Sequence, residues 1–579
     1  PIENLSKTLP VIRDFDNRTY IKEDAGKILV GIFEGNSIPA WDKTNKVPED
    51  FSFGEFQENF EHFEPYLASA IKRFPVLETA GIRKFFSGPE SFTPDTNTLL
   101  GEVPEVKNFF VCCGLNSIGI GSGGGVGKVT AEWLINGHIN EDIFSYDIKR
   151  FQKFHSELSF IKKRITESLG DLYGMHWPFK QHKTSRNIKT LPHHDNLKSF
   201  GACFGVSGGY ERPMWFALDG EKAEYEYSYN YQSWYPSAEY ETNNTIKNVG
   251  LFDLTPFSKF EIKSDKAHQE LQKICTANIK NEPGKCIYTH MLNPDGGIEA
   301  DLTVVCVESN HFRIISSAAT RERDKFHIKR YLSKDIELKD ITDDLVVFGL
   351  FGPKSRDLIK TISKDNFDND GFKFSTAKYI TIEDVEIWAQ RLSYVGELGY
   401  ELYVNIKDAK KIYELLIEKG KDFNLSNCGM HAMDIMRMES GFLHWGHDIS
   451  PEENQYQAGL SFTISKKKDV DFIGKQALEK IKKEKIKNKF AMFTLKESEP
   501  GKPLLLHDEP IYIDDKIIGR STSGNYSFNF KKNLIFGYIQ NDFTDDELQS
   551  KNLFIEVEKQ KYPISIQLDP LKQTNFKNL

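Results

Sequence analysis

The chain has 579 residues, 39% of them hydrophobic and 27% charged, ample for several packed cores and roughly three or four domains. Its net charge of −9 argues against nucleic acid or an anionic membrane as the main partner, and no run of about 18 apolar residues is present to span a bilayer. The seven cysteines, an odd number with no Cys-x-x-Cys, fit mostly buried thiols in a reducing compartment, and no metal site is expected.

The start, PIENLSKTLP, has neither an initiator Met nor the apolar stretch of a signal peptide, so a processed, trimmed or fragmentary chain is expected. KILVGIF (27–33) reads as a buried strand and 55–73 as an amphipathic helix. GPESFTPD (88–95) is turn chemistry, because Pro89 and Pro94 forbid a helix. A strand over Asn108–Cys113 leads into a glycine-rich turn, then a helix from about Val126 to Ile135, closed by Asn136-Gly137. Residues 150–245 show weak periodicity, with His193-His194 read as a loop pair. Beyond 245, short strands alternate with helices expected over 265–278, 406–420 and 428–440. KKEKIKNK (482–489) reads as a solvated helix end. FAMFTL, PIYIDD, KIIGRSTSG, LIFGYI and LFIEVE then predict a small β-barrel or sandwich.

The stretch GLNSIGIGSGGGVGKVTAEWLING (114–137) holds a literal Gly-x-Gly-x-x-Gly. A phosphate loop fails twice: Ser122 stands where its first Gly belongs, and Val129 where Ser or Thr belongs. A dinucleotide-binding start needs a second strand ending in an acid about 20 residues on, and NEDIFSYDIKRF makes a poor one. What such a turn still offers is backbone N–H groups open to close approach, backed by the positive end of a helix. A tight strand-to-helix turn needing small residues is the plain structural alternative.

GPESFTPD, the strand, GLNSIGIGSGGGVGKVTAEWLING and DIKRF together resemble the final section of the FAD domain in the dimethylglycine/sarcosine dehydrogenase family, and TLPVIRDFDNRTYIKEDAGKILVGIFE resembles the strands before it. The remainder resembles the same family's folate-binding module, which is like the glycine-cleavage T-protein. The matching segments are FGVSGGYERPMWF (204–216), VGLFDLTPFSKFEI (249–262), YTHMLNPDGGIEADLTV (288–304), RLSYVGELGYELYV (391–404), MDIMRMESGFLHWGHDIS (433–450) and KDVDFIGKQAL (468–478). The resemblance covers nearly the whole chain. It implies a multidomain α+β protein: a partial FAD-oxidoreductase α/β domain over 1–155, a T-protein-like α+β domain over 156–487 with a linker or cap at 156–200, and a C-terminal β-barrel over 488–579. On this reading the N-terminal Rossmann part lies upstream, the flavin site is incomplete, and the chain is a fragment.

The family implies FAD and tetrahydrofolate as cofactors, an N-methyl amine substrate, and electron-transfer flavoprotein or oxygen as electron acceptor. The turn Gly114, Leu115, Asn116, Ser117, Ile118, Gly119 and Ile120 would face the flavin. Asp301, after a Gly-Gly turn and at the start of the strand DLTVVCV, would position or activate the folate amine, since a carboxylate stabilises developing positive charge and can accept a proton. Glu397 resembles the acid holding the pterin N–H edge. Tyr288, Thr289, Tyr394, Gly396, Leu398, Arg437 and Trp445 would complete the folate cleft. For Tyr288, Tyr394 and Trp445 the alternative is core packing; for Arg437 it is pairing with an internal acid.

The activity implied is oxidative N-demethylation of dimethylglycine or sarcosine, with one-carbon transfer to tetrahydrofolate. A flavin-independent folate-dependent transferase and a non-catalytic regulatory relative are the alternatives. The Lys-, Asn- and Ile-rich composition suggests the bacterial cytoplasm, with the mitochondrial matrix as alternative.

Overall fold

The computed structural model describes residues 2, 5–573 and 576–579. The chain divides into two compact units, 1–131 with 145–186, and 132–144 with 187–579. The first unit therefore continues to residue 186, past the expected boundary at 155.

In the first unit an antiparallel meander joins strands Ile12–Asp14, Thr19–Asp24 and Lys27–Ile32, and a separate hairpin pairs Leu99–Glu102 with Phe110–Cys113. The helix Phe60–Arg73 starts where the Asn59 side chain accepts from the His62 N–H. Its last residue, Arg73, reaches Asp14 at 2.8 Å. Arg150 holds Asp95 with two hydrogen bonds of 2.6 and 3.0 Å, which anchors the proline-rich turn beside the hairpin. The glycine-rich segment differs from expectation. Its helix begins at Gly119, seven residues before Val126, and runs to Asn136.

The second unit holds the larger sheets. A five-stranded antiparallel sheet has the order Cys286–Leu292, Ile298–Glu308, His311–Ser316, Ser258–Lys263, Leu338–Asp340. A six-stranded sheet runs Ala377–Ile382, Val385–Gln390, Gly399–Asn405, Leu345–Phe351, Val249–Asp253, Leu425–Cys428, and its last pair is parallel. Phe252, Val305, Val347, Trp388 and Tyr403 pack into one cluster that draws on both sheets. The expected helices are present, slightly shorter, as Ala267–Ile274, Ala409–Gly420 and Met430–Glu439. The tail closes into a six-stranded barrel around Phe493, Ile511, Ile535 and Ile555, so of the two forms expected the barrel is the one adopted. Among the described residues no helix is long and apolar enough to cross a membrane.

Candidate active site

The expected base lies inside a strand. Asp301 is the fourth residue of Ile298–Glu308, whereas the Gly-Gly turn had suggested the strand's first position; pairing already resumes at Ile298 opposite Leu292. Asp301 sits directly across from His290, and strand alternation puts Tyr288 and His290 on one face with it. The Tyr288 hydroxyl hydrogen-bonds with His290 Nε2 at 3.3 Å and acts on the neighbouring Asp301 carboxyl too, favouring its charged form. Asp301 Oδ1 lacks a hydrogen-bond partner and lies 3.6 Å from His290 Nε2. Burial raises the Asp301 carboxyl to about 7, Tyr288 opposing and the negative charge of Asp324 adding to the rise. That is the poise of a general base working near neutrality. Tyr288 keeps 38% of its surface accessible, although burial pushes its hydroxyl well above the ordinary value, so it presents a flat wall beside Asp301.

Glu401 on the neighbouring sheet was not singled out in the sequence. It shares one strand face with Tyr403, whose hydroxyl donates to it at 2.8 Å. Burial raises its carboxyl to about 7, the Tyr403 bond opposing. Its charge acts on Cys286, which lies on the same strand face as Tyr288 and His290. His290 lies four steps along the strand from Cys286, about 13 Å. A half-buried carboxylate with spare acceptor capacity thus stands near one end of the wall, and Asp301 stands at the other.

Several expected ligand residues are occupied otherwise. Glu397 pairs with Lys572 at 2.5 Å, and both side chains are buried. Its neighbour Gly396 is required as glycine: φ is +68°, and a Cβ there would meet Ser440 Oγ at 2.1 Å. Leu398 is buried, its carbonyl accepting from the Gly352 N–H at 2.8 Å. Thr289 faces away from Asp301, its hydroxyl accepting from the Ala277 N–H at 3.0 Å. Trp445 packs as core: its indole donates to the Ile298 carbonyl at 3.0 Å, and Arg323 lies 4.7 Å from the ring centre. Arg437 takes the paired alternative, reaching Asp434 at 2.8 Å, Asp448 at 2.6 Å and Ser523 at 2.8 Å. Tyr394 donates to the Leu443 carbonyl at 2.8 Å and stacks on Phe442, within electrostatic range of both Asp301 and Arg437. Close to Arg437 stand His444 and His447, ring centres 4.8 Å apart, with Asp434 held low by the Arg437 charge against the effect of burial. A cavity of about 440 Å³ borders Phe442, Lys572 and Phe576, beside the Glu397 pair.

In the first unit the turn before the glycine helix is built of left-handed residues: Gly114 at φ +62°, Asn116 at +48° and Ser117 at +69°. The Asn116 amide donates to the Gly114 carbonyl at 2.5 Å and accepts the Thr93 N–H at 2.8 Å, which fixes the turn. Glu167, Asp171 and His182 also lie close enough to hold a metal. There, however, Glu167 accepts the Lys183 and Thr184 N–H groups and Asp171 pairs with Lys180 at 2.6 Å.

Comparison with known proteins accounts for almost the whole chain. Residues 1–133 match the FAD dependent oxidoreductase domain and 136–190 its central domain. Residues 193–468 match the GCVT N-terminal domain and 488–572 the glycine cleavage T-protein C-terminal barrel domain. An aminomethyltransferase of Halothermothrix orenii is 32% identical over 52% of this chain and 83% of its own. The mitochondrial sarcosine dehydrogenase of Homo sapiens is 31% identical over 92% of this chain and 62% of its own. The chain belongs to the dimethylglycine/sarcosine dehydrogenase family. A formaldehyde-forming 4-methylaminobutanoate oxidase of Paenarthrobacter nicotinovorans is 37% identical over 95% of this chain and 66% of that enzyme. The chain spans 62 to 66% of the length of these two oxidoreductases.

The family's flavin can be tested against the glycine helix. A Cβ built at Gly121, Gly123, Gly124, Gly125 or Gly127 meets nothing within 4 Å, so packing within the chain does not require these glycines. Each costs helix stability of about 1 kcal/mol relative to Ala. The exposed Ile118 and Ile120 precede them. An apolar surface with its backbone bared fits a flat ring system laid against it, and the residues present suit the flavin.

Proposed function

We propose that this chain takes part in FAD-dependent N-demethylation of a small carboxylate-bearing N-methyl amine, of the dimethylglycine or sarcosine type, and passes the one-carbon unit to tetrahydrofolate. The observation that carries this reading is Asp301: a half-enclosed carboxyl poised near 7 with one oxygen unpartnered, at the end of a wall whose other end bears Glu401. When bound, FAD supplies the two-electron acceptance that turns the N-methyl amine into a methylene iminium. The turn Gly114–Ile120 and the glycine helix behind it would hold the flavin. Electron-transfer flavoprotein or oxygen would serve as the final acceptor.

For the folate step, Glu401 offers acceptor oxygens to the donor pair of a pterin ring, the task first expected of Glu397. Tyr288 supplies a flat wall, and its hydroxyl orients Asp301. One folate nitrogen forms a C–N bond to the methylene carbon and gives its proton to Asp301. The second folate nitrogen closes the bridge as the bond to the substrate nitrogen breaks. That nitrogen keeps the bonding pair and takes up the two protons released, so the demethylated amine leaves as an ammonium. Capture on the same chain limits escape of a formaldehyde-releasing intermediate.

Calorimetric titration with tetrahydrofolate tests this. Wild type and Asp301→Asn are expected to bind with similar affinity, Asp301→Asn losing transfer only. Glu401→Gln is expected to bind about tenfold or more weakly. A folded chain that binds no tetrahydrofolate would sink the proposal and leave a non-catalytic relative of the family as the reading.

A further inference from the structure

His290 is wholly buried at the centre of the Asp301 face, and its hydrogen-bond partners determine its tautomer. Its Nδ1 lies 3.0 Å from Thr463 Oγ1. Thr463 Oγ1 also lies 2.7 Å from the Leu460 carbonyl, which can only accept; with the one hydroxyl proton used there, this oxygen accepts from His290. In that arrangement Nδ1 carries the ring proton and Nε2 the lone pair. Nε2 faces the Tyr288 hydroxyl at 3.3 Å and Asp301 Oδ1 at 3.6 Å. Burial holds the imidazole neutral, its pKa lowered to about 3.

An ionised Asp301 facing a fixed lone pair is disfavoured, whereas a protonated Asp301 can donate to it. We propose that His290 is a positioning residue for the transfer reaction, locked by Thr463 with Nε2 as an acceptor, and that it receives the hydrogen bond of the Asp301 acid once Asp301 has taken the folate proton. This rests on the reading of Asp301 as the base. The other titratable groups acting on Asp301 are known. Tyr288, on the opposite strand, has one proton to share between Nε2 and the carboxylate and favours the charged carboxylate, and Asp324, from the helix Arg321–Tyr331, disfavours it by its charge. Tyr394 lies within electrostatic range and stays a neutral phenol. His290 alone among them offers the protonated acid a fixed lone pair. The gain is a stronger base, because the form Asp301 adopts after accepting a proton is the one His290 stabilises.

The test is a pH titration of Asp301 in the full chain, read by NMR of carbon-13-labelled aspartate and assigned with Asp301→Asn. His290→Gln can return an acceptor to the Nε2 position and is expected to keep the midpoint. His290→Asn, which cannot reach that position, is expected to lower it by about one unit. Thr463→Val removes the acceptor for Nδ1–H, which releases the other tautomer, so Nε2–H then donates to the carboxylate. The midpoint should fall further, with His290 still in place. Tetrahydrofolate affinity, measured alongside by calorimetry, should change less than about twofold in these variants. An unmoved midpoint in both His290→Asn and Thr463→Val, each folded by its thermal transition, would overturn the proposal. The titration needs no folate, so a wild type with a normal Asp301 response but no folate binding would overturn the functional reading and not the role of His290.

Discussion

Lys572 closes on Glu397 at 2.5 Å, donates to the Val395 carbonyl at 3.1 Å, and is tied through its backbone N–H to the Glu439 carbonyl at 2.9 Å. The pair fastens the segment after the barrel to the turn that carries Gly396. Burial raises the Glu397 carboxyl, and the Lys572 charge opposes the rise, so each charge depends on the other. Removing one partner of a buried pair strands the second, at a cost of about 3 kcal/mol or more. Glu397→Gln and Lys572→Met are each expected to lower the denaturant midpoint, and the double variant to lose less than the sum. Tetrahydrofolate affinity should follow Glu401 rather than Glu397. Full stability in Glu397→Gln together with lost folate binding would return Glu397 to the ligand.

The raised Glu401 carboxyl has a consequence for stability. Its folded value, about 7, stands above the ordinary 4.5, so between these values the folded state holds more protons than the unfolded state. Its contribution is therefore best at low pH and is lost as pH rises from about 4.5 to 7. Glu401→Gln removes this dependence. Relative to wild type, the variant should be more stable at pH 8 than at pH 5, by about 2 kcal/mol in the difference. Denaturant unfolding of both proteins at the two pH values checks it, and equal differences would show that Glu401 is solvated.

These examples mark what the sequence could and could not convey. The order of motifs revealed the family and the barrel, because period-two runs such as FAMFTL and LIFGYI are local signals. Asp301 was visible through its Gly-Gly turn, although its place within the strand depends on where pairing resumes beyond that turn. The pairing of Glu397, which moves the proposed pterin acid to Glu401, was not visible, since it depends on Lys572, a partner 175 residues away that no local pattern announces. A clue did exist: in YELYV an acid occupies a position of an otherwise apolar strand, and such an acid must be paired or functional. His290 was hidden for a similar reason, its tautomer being set by Thr463, 173 residues distant. The start of the glycine helix was misread because glycine's low helix propensity outweighed the absence of any stop signal before Val126.

That helix yields a prediction of its own. Gly124 has open space where a Cβ would stand and lies within a regular helix. Gly124→Ala should raise stability by about 0.5–1 kcal/mol, seen as a higher melting temperature of the flavin-free chain. If the bared backbone serves the flavin, the same change should weaken FAD retention, read by absorbance of the protein after equilibration with FAD. A lower melting temperature would mean that a neighbour occupies this space after all.

Arg437 supplies the sharpest contrast between a ligand and a structural role. From the helix Met430–Glu439 it reaches Asp448, and its other arm meets Ser523 on the barrel strand Lys516–Ser527. Asp448 is buried and also accepts from the Thr522 and Ser523 hydroxyls at 2.6 and 2.8 Å and from the His444 N–H at 3.0 Å. The planar guanidinium serves Asp434, Asp448 and Ser523 at once, a geometry that a lysine ammonium cannot reproduce. Arg437→Met leaves the Asp448 charge buried without its cation and should cost about 3–5 kcal/mol. Arg437→Lys should recover only part of this. Because Arg437 meets its partners inside the protein, Arg437→Lys should bind tetrahydrofolate nearly as well as wild type under conditions where it stays folded. Unfolding midpoints and calorimetry on the same samples separate the outcomes. A stable Arg437→Lys with folate affinity lost about tenfold or more would mean that the guanidinium turns from Asp434 to the ligand when the recess is filled.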